Sequence, residues 1–178
     1  AQGYLGITPD LVTLSKAISS GFPLSVVGGR RPIMELIADG RVVHAGTFNT
    51  SPIAMAAAVA TLRELQRGGD DLYDRLFRLG AQLRDGIEAA GRRHGIDLHC
   101  QGPGPVFHAH FGGPHPIRNY RDYACIPRAR YAPFVERLRA EGVHVLGRGT
   151  WLVSAAHREQ DIEEALNAVD RALAGLSG

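Results

Sequence analysis

The first fifty residues alternate between short apolar runs and clusters of turn-forming residues. Residues 10–15 are rich in Leu, Val and Thr, and they predict a short buried strand. Ser, Gly and Pro at residues 19–23 break the pattern before a second predicted strand at residues 24–28. Apolar side chains then follow helical spacing over residues 31–38, and residues 42–47 predict a strand that runs into a glycine turn.

Residues 51 onward show the start of a long helix. Ser51 caps free amides and Pro52 is tolerated at the first helical position, where its missing N–H costs nothing. Residues 53–60 are apolar on every side, which predicts a helix buried all round. Gly68 and Gly69 predict the end of this helix.

From residue 70 the pattern changes to an amphipathic helix. Its apolar positions step by three or four residues and are Leu72, Leu76, Leu79, Leu83 and Ile87. The change predicts a new structural layer. We therefore expect two domains, residues 1–68 and residues 69–178.

The rest of the chain predicts a mixture of helices and strands. We expect an alternating strand at residues 106–111, a helix at residues 128–141, and strands at residues 143–146 and 151–154. A last helix carries Ile162, Leu166, Val169, Leu173 and Leu176 at helical spacing. Residues 69–178 thus predict a small two-layer α+β domain.

Composition and charge exclude several classes of protein. The 178 residues are 44% apolar and 21% charged with a net charge of +2, which fits a globular chain of one domain or two small ones. It does not fit a disordered tail, a collagen or a coiled-coil rod. Arginines are scattered among acidic neighbours, so no nucleic-acid-binding surface is predicted.

Cysteine usage and hydropathy bear on the compartment. Cys100 and Cys125 lack CxxC spacing, so we expect neither a disulfide framework nor a thiolate zinc site. We expect instead a reducing, cytoplasmic setting. The longest apolar stretch, residues 52–62, is too short to cross a bilayer, and no signal peptide is recognisable. We expect no membrane partner.

Lys16 is the only lysine among the 20 lysine and arginine residues. Taken by itself it is explained as a solvated charge in an arginine-rich chain. Its context favours chemistry, because it ends an apolar strand, where α/β proteins gather ligand groups. Arginine cannot replace lysine in one role, since only lysine loses its proton readily enough to form an imine with an aldehyde.

The histidines are weaker candidates. His108 and His110 lie two apart on a predicted strand and share a face, a spacing that can bind metal. No third ligand is evident nearby, so we interpret both as solvent-facing or hydrogen-bonded and assign no metal site. His157 is explained by its place at a helix start.

Two blocks of sequence resemble a known family. Residues 8–18 (TPDLVTLSKAI), with residues 21–24 (GFPL) and 28–30 (GGR), resemble the cofactor-lysine region of the class III aminotransferases, pyridoxal-phosphate enzymes of fold type I. Residues 44–49 (HAGTFN) resemble the glycine-threonine turn of that family, and residues 52–57 the helix after it.

The resemblance implies roles for three residues. Lys16 would form the imine with pyridoxal 5'-phosphate and later move a proton between the substrate and the cofactor. Thr47 would bind the cofactor phosphate of the partner subunit through its hydroxyl and backbone N–H, and Gly46 would form with it the turn whose backbone amides hold that phosphate. The expected protein is therefore a homodimer with a shared active site, although a simple turn remains an alternative for Gly46 and Thr47.

The resemblance also implies what residues 1–178 lack. In this family three features lie upstream of the lysine, at positions before residue 1 of this sequence. They are the acidic partner of the pyridine nitrogen, the stacking aromatic residue and the main phosphate loop. Asp10 does not substitute for the acidic partner and is interpreted as a turn residue. Because the chain also lacks an initiator methionine, we expect a C-terminal fragment that is inactive alone.

The expected fold class is α/β, with the end of the large domain of a fold type I transferase followed by its small C-terminal domain. Residues 1–4 and 151–157 resemble most the glutamate-1-semialdehyde aminomutases of the family, whereas residues 50–52 (TSP) depart from the Gly-Asn-Pro often found there. The expected activity is amino-group transfer between an amino donor and a carbonyl, or within one substrate. Alternatives are an ω-aminotransferase or a racemase of the same fold, or a truncated non-catalytic homologue that packs with a partner.

Overall fold

A computed structural model of the chain describes residues 2–176, which divide into two compact units with the boundary between Gly69 and Asp70. The helices are α1 (Gln2–Leu5), α2 (Arg31–Ala38), α3 (Pro52–Arg93), α4 (Tyr120–Ala124), α5 (Ala132–Ala140) and α6 (Glu159–Ala174). The strands are β1 (Leu11–Ser15), β2 (Ser25–Gly29), β3 (Leu98–Gln101), β4 (Val106–Phe111) and β5 (Thr150–Leu152). Short 3-10 helices cover Lys16–Ser19 and Arg128–Arg130.

In the first unit, β1 and β2 form the two strands that the sequence predicted. They pair antiparallel, from Leu11 opposite Gly29 to Ser15 opposite Ser25. The expectation that β1 is buried was wrong, because Leu11 is 48% exposed. Besides β1, β2 contacts α2, and a two-stranded sheet is too small to bury both of its faces.

The strand predicted at residues 42–47 is absent from the described structure. Val42 instead donates its N–H to Leu36 O, just past the end of α2 (2.8 Å). Residues 43–46 are irregular, and residues 47–50 form a turn. β-branched residues favour a strand, but a strand needs a neighbour with which to pair, and this segment finds none within residues 2–176.

Helix α3 consists of two helices that meet at a kink, because Gly69 has a non-helical backbone of φ 51° and ψ −148°, which glycine adopts at no steric cost. The predicted end of the first helix at Gly68 and Gly69, and the start of a second helix after it, are therefore confirmed. The early part of α3 is not buried all round, since Ala54 and Ala58 are buried whereas Ile53 is 68% exposed.

The second unit contains a three-stranded antiparallel sheet in the order β3-β4-β5. The sequence did not predict β3, whose four residues, LHCQ, follow the helix after only a short turn. Residues 143–146, predicted as a strand, are irregular and donate a single bond to the sheet region, from Leu146 N to Thr150 O at 3.3 Å. The predicted helix at residues 128–141 is divided into a 3-10 turn and α5.

One face of this sheet and three helices enclose the core. The predicted apolar stripe of α3 is buried here, and so is most of the stripe of α6. Central members are Leu79, Leu83, Ile87, Phe107, Phe134, Leu138, Trp151, Val169 and Leu173. The unit is the expected arrangement of helices on one side of an antiparallel sheet, and the chain as described has the mixed helix-and-sheet architecture of the predicted α/β class.

No helix within residues 2–176 is both long and apolar enough to span a membrane.

Candidate functional site

Lys16 directly follows β1 and opens the 3-10 helix. Its backbone is left-handed, with φ 54°, which is uncommon for a residue other than glycine and costs about 1–3 kcal/mol. The side chain is exposed, and among residues 2–176 no group forms a hydrogen bond or ion pair with its amine. The amine is therefore free to react with a ligand.

Three hydroxyls hold the turn that carries Lys16. Ser15 Oγ donates to Leu24 O at 3.1 Å, which ties the residue before the lysine to the start of β2. Ser19 is buried and donates to Phe22 O at 2.6 Å. Ser20 Oγ lies 2.9 Å from Thr61 Oγ1 on α3, so the end of the turn is anchored to a helix. The strained backbone at Lys16 is thus fixed on both sides.

Gly46 and Thr47 lie in the turn before α3. Asn49 N donates to Gly46 O at 3.0 Å, and Met55 N donates to Ser51 O at 2.9 Å where the helix begins. The amide and hydroxyl of Thr47 are exposed and bond to no other residue among those described. Two free donors on one residue suit an anionic ligand such as a phosphate.

A pocket of about 380 Å³ separates β2 from this turn. Its lining includes Val27, His44, Phe48 and Thr50, and it does not include Lys16. No hydrogen bond joins Lys16 to Gly46 or Thr47 within residues 2–176. The first unit therefore holds two separate groups of candidate residues, a free amine and a pair of free donors.

These two groups fit parts of pyridoxal phosphate. A free amine on a fixed turn fits the aldehyde of the cofactor, and the free N–H and hydroxyl of Thr47 fit a phosphate ester. Asp10 is engaged elsewhere, because its carboxylate accepts from Arg30 Nη1 at 2.9 Å and its carbonyl accepts from Arg30 N at 3.0 Å. It acts as a turn residue that closes the hairpin, as the sequence predicted.

In the second unit, His108 and His110 share one face of β4, as predicted. Burial lowers the pKa of both imidazoles, and for His110 the hydrogen bond to the carbonyl of Gly112 acts in the opposite direction. The structure adds what the sequence did not indicate: His99 lies opposite His110, and the ring of His115 stacks on that of His99 at 4.5 Å. Sequence reasoning missed this group because β3 was not predicted.

His157 has a structural role close to the one expected. Its Nδ1 accepts from Ser154 N at 2.9 Å, in the turn that leads into α6. Arg75 of α3 donates to the carbonyls of Ala155 (2.7 Å) and His157 (2.8 Å), so the loop is held to the helix.

Comparison with known proteins identifies the family. The family model described as "Aminotransferase class-III" matches residues 1–173. A glutamate-1-semialdehyde 2,1-aminomutase of Desulfatibacillum aliphaticivorans is 37% identical over 99% of this chain and 41% of its own length. The chain thus spans about two-fifths of the curated relative that it matches.

Solved structures agree with this result. An ω-transaminase from Sphaerobacter thermophilus superposes with a TM-score of 0.87 at 31% identity, covering 99% of this chain and 41% of that one. The FumI protein of a Sphingopyxis species, solved in its pyridoxal-phosphate internal aldimine form, superposes with a TM-score of 0.79 at 31% identity over 98% of this chain and 39% of that one. Pyridoxal phosphate is the cofactor of the family to which these proteins belong. This chain belongs to the same family, the class III aminotransferases.

Proposed function

We propose that this chain carries the lysine of a pyridoxal-phosphate-dependent enzyme that transfers an amino group, as an aminotransferase or as a glutamate-1-semialdehyde 2,1-aminomutase. The family match and the aminomutase relatives support the class of reaction. The observation that carries the assignment to this chain is the exposed, unpaired amine of Lys16 on a strained and anchored turn. The substrates are a small amino donor and a carbonyl compound, or, for the aminomutase, one molecule within which the amino group moves.

Lys16 has two tasks in this proposal. Its neutral amine would hold the cofactor through the aldehyde carbon, and Nζ would also take and return the proton of the substrate carbon. The cofactor, when bound, supplies the electron sink that makes this carbon acidic. The bonds from Ser15 and Ser20 fix the lysine backbone, so only the side chain moves during proton transfer.

Thr47 and Gly46 serve the cofactor phosphate of the partner subunit. Two observations support this role: Lys16 does not line the pocket beside this turn, and within residues 2–176 no hydrogen bond joins Lys16 to Gly46 or Thr47. The active protein is then a homodimer in the cytoplasm. Residues 1–68 complete its large cofactor-binding domain, and residues 69–178 form its small C-terminal domain.

Borohydride reduction of the cofactor-loaded, full-length protein tests the role of Lys16. We expect the cofactor to become fixed on the peptide that contains Lys16 and on no other, as read by mass spectrometry. Lys16→Arg keeps the positive charge but forms no imine, so it should lose the label and at least about a thousandfold of the turnover. Label on another lysine, or normal turnover by Lys16→Arg, contradicts the proposal.

A hybrid dimer tests the role of Thr47. Lys16→Ala and Thr47→Ala chains are each expected to be weakly active as homodimers, because either change damages both sites. In a mixed dimer, one of the two sites receives an intact lysine and an intact threonine, so activity should recover to about half of the wild-type value per dimer if the sites act independently. A mixture that remains as inactive as its parents overturns the shared site.

An ω-aminotransferase is the second candidate, favoured by the 31% identity and TM-score of 0.87 to the Sphaerobacter enzyme. The two candidates differ in what they accept as substrate. Turnover of glutamate 1-semialdehyde alone, without a second amino acceptor, supports the aminomutase. Turnover that requires a separate amine and a separate carbonyl compound supports the ω-aminotransferase.

A further inference from the structure

The face of the β3-β4-β5 sheet that points away from the core is rich in histidine. Side chains alternate between the two faces of a strand, and Cys100, Phe107 and Ala109 occupy the core face. The other face presents His99 opposite His110, and Gln101 opposite His108. Imidazoles on paired strands in this register lie side by side, as the 5.5 Å between the ring centres of His99 and His110 shows.

Three potential metal ligands from different elements meet at this face. Glu88 comes from α3, His99 from β3, and His115 from the loop after β4. One ligand atom of each lies within 4.8 Å of the other two. In a tetrahedral zinc site the ligand atoms are about 3.4 Å apart, which follows from metal–ligand bonds near 2.1 Å. The rings of His99 and His115 are stacked, so their in-plane lone pairs converge on one ion only after His115, which is exposed, rotates.

Two of these ligands are already held in place by neighbours. Glu88 Oε1 accepts the N–H of Cys100 at 2.8 Å, on the free edge of β3. Asp97 Oδ1 lies 2.8 Å from His99 Nε2. A carboxylate at this nitrogen keeps the proton there and leaves Nδ1 of His99 with a lone pair, which is the arrangement found behind metal-bound histidines.

His110 supplies an independent sign that a ligand is missing. The residue is 1% exposed, and its Nδ1 lies 2.7 Å from the carbonyl of Gly112. A carbonyl only accepts, so Nδ1 carries the proton and Nε2 has a lone pair. This Nε2 is buried and has no hydrogen-bond partner among the described residues, a costly arrangement in a folded protein. The ring centre of His110 lies 5.5 Å from that of His99 and 6.0 Å from that of His115.

We propose that Glu88, His99 and His115 bind one divalent transition-metal ion, and that His110 Nε2 accepts a hydrogen bond from a water on that ion. Two imidazoles and one carboxylate are the ligands of many three-residue zinc sites that keep a fourth position for water. Such a water would provide the donor that His110 lacks. The ligand types argue against Mg²⁺ and Ca²⁺, which take oxygen ligands almost exclusively.

The site belongs wholly to the second unit and uses neither Lys16 nor Thr47. It is therefore separate from the proposed amino-transfer chemistry, and its test does not depend on activity.

Calorimetric titration of the full, tag-free chain with ZnCl₂ at pH 7.5 tests the site. Glu88→Gln keeps an acceptor for Cys100 N while it removes the carboxylate, and His115→Gln changes an exposed side chain. His144→Gln is the matched control, since His144 is exposed and outside the group. Circular dichroism establishes that each variant is folded. We also expect Co²⁺ to give the intense visible absorption of a tetrahedral N/O site.

We expect one Zn²⁺ per chain, with affinity reduced at least about tenfold to a hundredfold by Glu88→Gln and by His115→Gln and unchanged by His144→Gln. His99→Gln should act like His115→Gln. Absence of stoichiometric Zn²⁺ binding overturns the proposal. The proposal is also overturned if Glu88→Gln or His115→Gln binds Zn²⁺ as tightly as the control does, because the substituted side chain is then not a ligand.

Discussion

At the scale of single residues, the conformation of Lys16 is informative. A left-handed lysine is strained, and strain of this kind persists only where neighbouring contacts hold it. Ser15 and Ser20, on either side, supply those contacts through their hydroxyls. The strain therefore accords with a side chain that must leave the strand in a fixed direction.

Tyr131 and Trp151 form a buried pair that permits a quantitative prediction. Trp151 Nε1 donates to Tyr131 Oη at 2.8 Å, and burial raises the pKa of the Tyr131 hydroxyl, so it stays protonated. Tyr131→Phe leaves the indole N–H without an acceptor and should lower the free energy of unfolding by about 1–3 kcal/mol, measured by urea denaturation. Tyr120→Phe, at a side chain that is 77% exposed, should change it by less than about 0.5 kcal/mol. Equal effects of the two substitutions would refute this account.

The sequence predicted some candidate residues and missed others for a physical reason. Lys16 was found because its motif is local and because it is the only lysine. His108 and His110 were placed correctly on one face, since alternation is also local. His99 and His115 come beside them only through strand pairing and a loop, which one-dimensional spacing does not contain.

At the scale of elements, helices were predicted better than strands. The stripes of α3 and α6 repeat over several turns, and each repeat strengthens the pattern. Residues 42–47 and 143–146 have the composition of strands, yet neither has a ladder in the described structure. Conversely, β3 contains His and Gln and is a strand because β4 pairs with it. Pairing, rather than composition, decides short strands.

The start of α6 makes stability depend on pH. Asp161 Oδ2 accepts Arg158 N at 2.7 Å, and this backbone bond, together with the Arg158 side chain, lowers the pKa of Asp161. A lowered pKa in the folded state means that the carboxylate stabilises the fold above its unfolded pKa of about 4, and that this contribution is lost as pH falls through the folded value.

The variant Asp161→Asn should therefore be less stable than wild type at pH 6. The difference should shrink as the pH is lowered below about 4 and vanish once the wild-type carboxyl is protonated. Chemical denaturation from pH 2 to pH 7 measures it. Glu163→Gln changes an exposed carboxylate on the same helix and serves as the control. A difference between Asp161→Asn and wild type that is constant over this pH range would disprove the cap.

At the scale of the whole molecule, the two units differ in how much apolar surface each of them buries internally. All members of the hydrophobic core cluster belong to the second unit. In the first unit, the buried residues among those described are Ser19, Ala54 and Ala58, which bury little apolar surface. Burial of apolar area is the main driving force of folding, so the units should differ in stability.

We therefore expect residues 70–178 to fold alone and residues 1–69 to remain unfolded alone. Trp151 is the only tryptophan and is buried in the second unit, so its fluorescence reports on that unit. The urea midpoint from fluorescence should be nearly the same for residues 70–178 as for the whole chain. A piece 70–178 without a cooperative transition would contradict this expectation, as would cooperative unfolding of residues 1–69.

Because Lys16 is the only lysine in the sequence, a lysine-specific protease has a simple cleavage pattern on this chain. An endoprotease specific for lysine has one bond to cut in these 178 residues, the bond after Lys16, and it lies in an accessible turn. Digestion should thus yield two products of known mass from this stretch. Modification of the amine removes the cleavage site, so the fraction of chains left uncut equals the fraction in which Lys16 is modified.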